Sequence, residues 1–215
     1  MTAAPRIAVV DYGAGNLRSV AKALERSGLL PEVTGDPSVV VRADAVVLPG
    51  AGAFADAATK LAAGGLDEAV RESIASGRPY LGLCLGMQLL FESSDEHGAT
   101  PGLAILPGRV EHFPPTGTDG ARLRVPHIGW NQVRFSGSHP MLEGLPDEDC
   151  YYFVHSYRAL PACQEDIVGR VDYGGEFSAA VARDNTFAVQ FHPEKSQGAG
   201  RRLLDVFGAW VRSCG

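Results

Sequence analysis

Residues 78–92 read RPYLGLCLGMQLLFE. A short apolar run suited to a buried strand ends here, and a helix-like run begins, with Cys84 at the junction between Gly82 and Gly86. The same change of pattern occurs upstream, where RIAVVDYG (6–13) leads to NLRSVAKALERSG (16–28) and DAVVLPG (44–50) to GLDEAVRESIASG (65–77). Strands apolar throughout, alternating with amphipathic helices, predict a mostly parallel α/β sheet covered on both faces. CLGMQLLFESS (84–94) is expected to continue as the helix after the third such strand. Gly28 and Gly77 stand where helix C-caps belong. Past about residue 104 the character changes: GRVEHF, NQVRF, YYFVHSYRA, IVGRVDYG, FSAAVARD and TFAVQFH read as added antiparallel strands, and GRRLLDVFGAWVR (200–212) as a closing helix. The segments 114–120 and 136–149, rich in Gly, Pro and acidic residues, are expected loops.

The whole chain of 215 residues, 45% hydrophobic, is long enough for a substantial core and is read as one domain, 1–215. Its formal net charge of −6, with no basic run, argues against nucleic acid or an anionic membrane surface as a partner. No signal-like start and no long apolar span stands in the sequence, so a soluble cytoplasmic protein is expected. Cys84, Cys150, Cys163 and Cys214 are scattered without a C-x-x-C pair, and the histidines show no metal-ligand spacing. Neither a disulfide framework nor a metal or other cofactor is expected.

Cys84 in GLCLG has the small neighbours of a nucleophile elbow, a tight strand-to-helix turn that holds a side chain above the carboxyl edge of a sheet. A helix N-terminus there favours thiolate, and the Leu85 N–H is free to meet a developing oxyanion. Taken alone the motif equally fits a small buried core residue. Partners stand near the other end of the chain, where TFAVQFHPEKS (186–196) runs a strand into His192 and Glu194. Residues two apart on extended backbone share a side, so Glu194 can orient His192 as the base of a cysteine nucleophile. VVLPGAGAF (46–54) leaves a buried strand through Gly50, Ala51 and Gly52, whose N–H groups could complete an oxyanion hole. It lacks the G-K-[ST] ending of a phosphate loop, and DYGAGNLRSV (11–20) places Arg18 where a dinucleotide fingerprint has its third glycine.

In order along the chain, PGAGAF, GLCLGMQLLFE and FHPEKS resemble the oxyanion-strand, nucleophile and His-x-Glu motifs of the class I (triad) glutamine amidotransferases. DYGAGNLRSV, PHIGWN (126–131) and YYFVHSY (151–157) more narrowly resemble the branch of that family that serves imidazole glycerol phosphate synthesis in histidine biosynthesis. The family commonly carries valine where Ala51 stands. MTAAP (1–5) and PPTGTDGARLR (114–124) carry no family motif. The resemblance implies a flavodoxin-like sheet with added antiparallel strands. It implies Cys84, His192 and Glu194 as a catalytic triad, with oxyanion donors at Gly50, Ala51, Gly52 and Leu85. Gly52, Gln88 and Glu96 would contact the glutamine substrate. It further implies ammonia transfer to a (β/α)8-barrel cyclase subunit in a heterodimer, with Asn16, His127, Trp130, Asn131, Tyr152 and Lys195 toward that partner. Rival readings are the glutaminase subunit of another synthase, such as anthranilate synthase, and a non-catalytic docking subunit. An α/β-hydrolase-type cysteine enzyme places its acid before the histidine, whereas here it follows.

Overall fold

The computed structural model describes residues 4–214; Met1–Ala3 of the motif-free MTAAP stretch lie outside the described residues. In chain order the first half gives β1 (Arg6–Val10), α1 (Leu17–Arg26), β2 (Leu30–Thr34), α2 (Pro37–Arg42), β3 (Ala45–Leu48), α3 (Phe54–Ala63), α4 (Leu66–Ala75), β4 (Tyr80–Leu83) and α5 (Leu85–Gln88). Then follow β5 (Phe91–Ser94), β6 (Thr100–Pro101), β7 (Leu106–His112), β8 (His127–Phe135), β9 (Glu148–His155), β10 (Tyr157–Pro161), β11 (Ile167–Asp172), β12 (Glu176–Arg183), β13 (Thr186–Val189) and α6 (Gln197–Ser213).

All of these strands belong to one sheet, ordered β2-β1-β3-β4-β13-β12-β10-β7-β5-β6, with β11, β8 and β9 branching from β12. Pairing is parallel from β2 through β13 and antiparallel at β12, β10, β11, β8 and β9. The alternation along β1 shows why the strand is apolar beyond Arg6. Ile7 and Val9 pack with Leu24, Leu203 and Phe207 under α1 and α6, while Ala8 and Val10 pack with Phe54, Leu61 and Val70 under α3 and α4. No helix among the described residues is long and apolar enough to cross a membrane.

The helix expected over 84–94 is a single turn, Leu85–Gln88. The carbonyls of Leu89, Leu90 and Phe91 accept instead from the N–H groups of Leu103, Ile105 with Leu106, and Ala104. With its acceptors taken by that segment, the chain turns extended and Phe91–Ser94 pairs in parallel with β7. The apolar run Leu89–Phe91 is core on every side, and burial removes the periodicity by which helix and strand are told apart. YYFVHSYRA likewise divides at Ser156, because β9 pairs with β8 whereas β10 pairs with β7 and β12.

Candidate active site

β4 and β13 lie side by side in parallel, Leu83 opposite Val189, so their carboxyl ends bring Cys84 and His192 to one edge of the sheet. Cys84 adopts φ 54° and ψ −107°, a conformation that costs about 1–3 kcal/mol for a residue with a side chain. Bonds on both sides impose it: its N–H donates to Val189 O at 2.8 Å, and its carbonyl accepts from Met87 and Gln88. A Cβ on Gly86 would lie 1.8 Å from Leu48 O, so the turn packs directly on the end of β3 and admits only glycine there. The Leu85 N–H opens the single helical turn and has no intrahelical acceptor.

His192 Nδ1 lies 2.8 Å from Glu194 Oε1, with the two side chains 9% and 3% exposed. The second oxygen of Glu194 is buried and has no hydrogen-bond partner among the described residues, which leaves the imidazole as the carboxylate's partner. Burial disfavours a charged His192, but hydrogen bonds and negative charge from Cys84 and Glu194 outweigh it, raising the imidazole to about 9. Beside a thiolate the ring therefore holds its proton at neutral pH, the state needed to protonate a leaving amine.

The loop after β3 packs against Leu85 and Gly86 and lines the cavity that holds this pair. A Cβ on Gly50 would meet Leu85 Cβ and the Tyr12 hydroxyl at 2.7 Å, and Gly52 sits at φ +97°. The buried Tyr12 hydroxyl lies against this loop with no hydrogen-bond partner among the described residues, and burial and the nearby Cys84 charge push it well above the ordinary phenol range. Ala51, Gly52, Cys84, Leu85, Gln88, Glu96, His192 and Lys195 line one cavity of about 470 Å³, together with Pro126, Val154, His155, Ser156 and Tyr157. Glu96 Oε2 accepts from the Phe54 N–H at 2.6 Å, at the start of α3. Gln88, whose alternative was an exposed helix position, is 5% exposed, and its Nε2 donates to Tyr157 O and to Gln190 Oε1.

The residues expected to face a partner divide. Trp130, 49% exposed, meets Tyr152 edge to face across the β8–β9 pair, and Lys195 lies over the Tyr152 ring. These three stand on the outer face, beside exposed Ile128 and its cross-strand neighbour Val154 at the cavity wall. His127 does not stand there. It is 3% exposed, stacked between Phe153 and Tyr173, and its Nδ1 lies 3.1 Å from His155 Nε2. On β8 it occupies the opposite face from Ile128 and Trp130, so the pleat turns it into the aromatic core. Asn131 donates to Asp172 O and to His127, which ties it to structure, and Asn16 caps α1 by accepting from the Ser19 N–H.

Gln190, Tyr157, Val154, Pro126, Ile128 and Tyr12 join the site without having been singled out in the sequence. Gln190 alone left a usable signal, two residues before His192 and so on its side of an extended chain.

Residues 8–208 match the family model described as glutamine amidotransferase class-I. Imidazole glycerol phosphate synthase subunit HisH of Syntrophotalea carbinolica is 50% identical over 203 residues, covering 94% of this chain and 98% of that protein. The subunit of the same name from Aromatoleum aromaticum is 52% identical, over 95% and 98%. Among solved structures, PurLQS from Thermotoga maritima superposes with a TM-score of 0.74 at 19% identity, over 97% of this chain and 100% of that one. The Trypanosoma brucei CTPS glutaminase domain with bound acivicin reaches 0.69 at 19% identity, over 97% and 94%. At such identities the two structures share the fold.

Proposed function

Because this chain belongs to the class I glutamine amidotransferase family, we propose that it is the glutaminase subunit of an imidazole glycerol phosphate synthase in histidine biosynthesis. It releases ammonia from glutamine and passes it to a (β/α)8-barrel cyclase subunit that makes imidazole glycerol phosphate and aminoimidazole carboxamide ribonucleotide. The observation that carries the chemistry is Cys84 held at positive φ, with the buried His192–Glu194 pair beside it.

The Cys84 thiolate attacks the carboxamide carbon of glutamine, and the oxyanion that forms is met by the Leu85 N–H and a donor of the Gly50–Gly52 loop. His192 gives its proton to the nitrogen as the C–N bond breaks, so ammonia leaves and a glutamyl thioester remains. The imidazole, now neutral, takes a proton from water, and the hydroxide attacks the thioester. Glutamate leaves, and thiolate and imidazolium return together. Glu194 keeps the ring in one orientation through both proton transfers. Gln88 and Glu96 bind the substrate from the cavity wall, Glu96 with its charge toward the α-ammonium. Gly50 and Gly52 leave the loop backbone free to turn, and docking of the cyclase aims one of its N–H groups at the oxyanion.

Ammonia is mostly protonated and lost once free in neutral water, so it must leave through a covered route. The outer face of β8 and β9, with Ile128, Trp130, Tyr152, Val154 and Lys195, borders the cavity mouth and offers the aromatic anchors an interface needs. A Cys84→Ala chain, assembled with the cyclase, is expected to lose glutamine-dependent turnover while added ammonium salt still supports the cyclase. Retained glutamine use by that variant would overturn the mechanism.

A further inference from the structure

The Tyr157 carbonyl fixes the direction of a short chain of amides that ends on the reactive sulfur. A carbonyl only accepts, so Gln88 must turn its NH2 group toward Tyr157 O, 3.1 Å away. The second hydrogen on that nitrogen goes to Gln190 Oε1 at 2.9 Å. With its oxygen committed to Gln88, Gln190 can present only its own NH2 group in the other direction, where Nε2 lies 3.6 Å from Cys84 Sγ. Either amide drawn the other way round would set two acceptors or two donors face to face in a fully buried spot. Among the described residues Gln88 Oε1 accepts no hydrogen bond, and Gln88 lines the cavity, so the same polarity leaves that oxygen as an unused acceptor at the site.

We propose that Gln190 is a further catalytic residue, whose Nε2–H donates to Cys84 Sγ and holds the sulfur as an aimed thiolate. This deepens the reading of Cys84 as the nucleophile and rests on it. A thiolate only accepts hydrogen bonds, so a fixed donor favours it over the thiol. His192 cannot do this throughout the cycle, because it gives up its proton to the leaving ammonia. Gln190 keeps its hydrogen at every step. It is in place when the thioester breaks and the sulfur must take back the electron pair. The tether also explains why a fully buried amide stands at the end of β13 in a run of apolar residues.

The test reads the sulfur directly, on the complete chain, by the pH dependence of iodoacetamide labelling. Labelling is followed on the Cys84 peptide by mass spectrometry, since Cys150 and Cys214 are exposed and Cys163 partly so. Gln190→Met removes the donor at similar volume. Gln190→Glu keeps shape and an acceptor for Gln88, replaces the donor with a carboxylate, and carries the test alone should the methionine chain fail to fold. The titratable groups facing the sulfur are unchanged in both: His192 with Glu194 behind it, Tyr12 across the loop, and Glu96, His155, Tyr157 and Lys195 around the cavity. In Gln190→Met the labelling midpoint should rise by about one pH unit, slowing labelling about tenfold on its acid side. In Gln190→Glu it should rise further, and glutamine turnover with the cyclase should lose kcat with KM held, because Gln88 keeps its partner. Labelling curves that coincide with the parent chain in a folded variant would overturn the proposal. If that happens while Cys84→Ala is inactive with glutamine, only the role of Gln190 falls. Activity retained by Cys84→Ala would remove the nucleophile reading beneath it.

Discussion

Gly200 lies on the second turn of α6, outside every motif that suggests chemistry, yet its substitution should disable the site. A Cβ there would stand 1.8 Å from the Pro193 carbonyl oxygen and 2.7 Å from its carbon. Reaching ordinary van der Waals separation needs a displacement of roughly 1.5 Å. Pro193 sits between His192 and Glu194, and the turn it belongs to is tightly held. Ser196 Oγ donates to His192 O at 2.6 Å and accepts from the Tyr152 N–H at 2.9 Å. Strain in Gly200→Ala therefore moves His192 and Glu194, the proposed base and its carboxylate, together or opens the turn from β9. A misplacement of about 1 Å in a catalytic group can cost about a hundredfold in rate, and overpacking of this kind costs about 1–3 kcal/mol of stability. The assay compares glutamine-dependent with ammonia-dependent turnover of the assembled complex, alongside thermal melting of the chain. Gly208→Ala and Gly198→Ala on the same helix are the controls. At Gly208 the nearest atom is a Leu29 methyl carbon at 3.1 Å, on a side chain able to rotate, and at Gly198 nothing lies within 4 Å. Glutamine turnover should fall about a hundredfold in Gly200→Ala, while the controls keep it and ammonia use stays in all three. A folded Gly200→Ala chain with the parent's glutamine turnover would refute the reasoning.

Glu194→Gln keeps a hydrogen-bond acceptor for His192 but removes the charge. The imidazole, held at about 9, keeps its proton below that pH and loses it as pH rises through it. The basic limb of the glutamine pH–rate profile should then move down by about one unit, and an unmoved limb would contradict the assignment. His155 and His127 shift the opposite way. Burial holds His155 at about 3, with the neighbouring imidazoles adding to it against a bond to Tyr157 O, and burial holds His127 at about 4. Below the ordinary histidine range the unfolded chain binds protons that the folded one refuses, so stability falls as pH drops from 6.5 toward 4. His155 alone contributes about 2 kcal/mol of that loss between pH 7 and 5. Urea titrations at the two pH values should show the slope flattened in His155→Gln, and an equal slope in both chains would count against the buried pair. Trp130→Ala should weaken binding of the cyclase at least about tenfold while leaving the intrinsic glutaminase rate of the free subunit alone; unchanged affinity by calorimetry would exclude Trp130 as an anchor.

Much of this architecture was legible because the sheet's centre is buried on both sides. IAVV, AVVL, YLGL and FAV carry no polar side chain apart from the Tyr80 hydroxyl and are buried at every position, and only strands between two helical layers need that. The same completeness of burial hid the end of the nucleophile helix, since Leu89, Leu90 and Phe91 are core whichever backbone they adopt. β2 left little mark for the opposite reason. LPEVT lies at the sheet edge, bonded to β1 alone, and Leu30 and Val33 remain exposed.

The sequence by itself marked Cys84, His192 and Glu194 as the residues proposed to carry the chemistry. Each is set by its near neighbours: glycines around a strained turn, and a glutamate two residues beyond a histidine. It could not decide how partners distant in the chain would meet. That Gln190 reaches a sulfur 106 positions away, that the Tyr12 hydroxyl lies against Gly50, and that His127 turns inward while Trp130 turns out follow from strand order and pleat. Those relations belong to the folded sheet, where hydrogen-bond polarity and side-chain direction are set by neighbours that local spacing does not record.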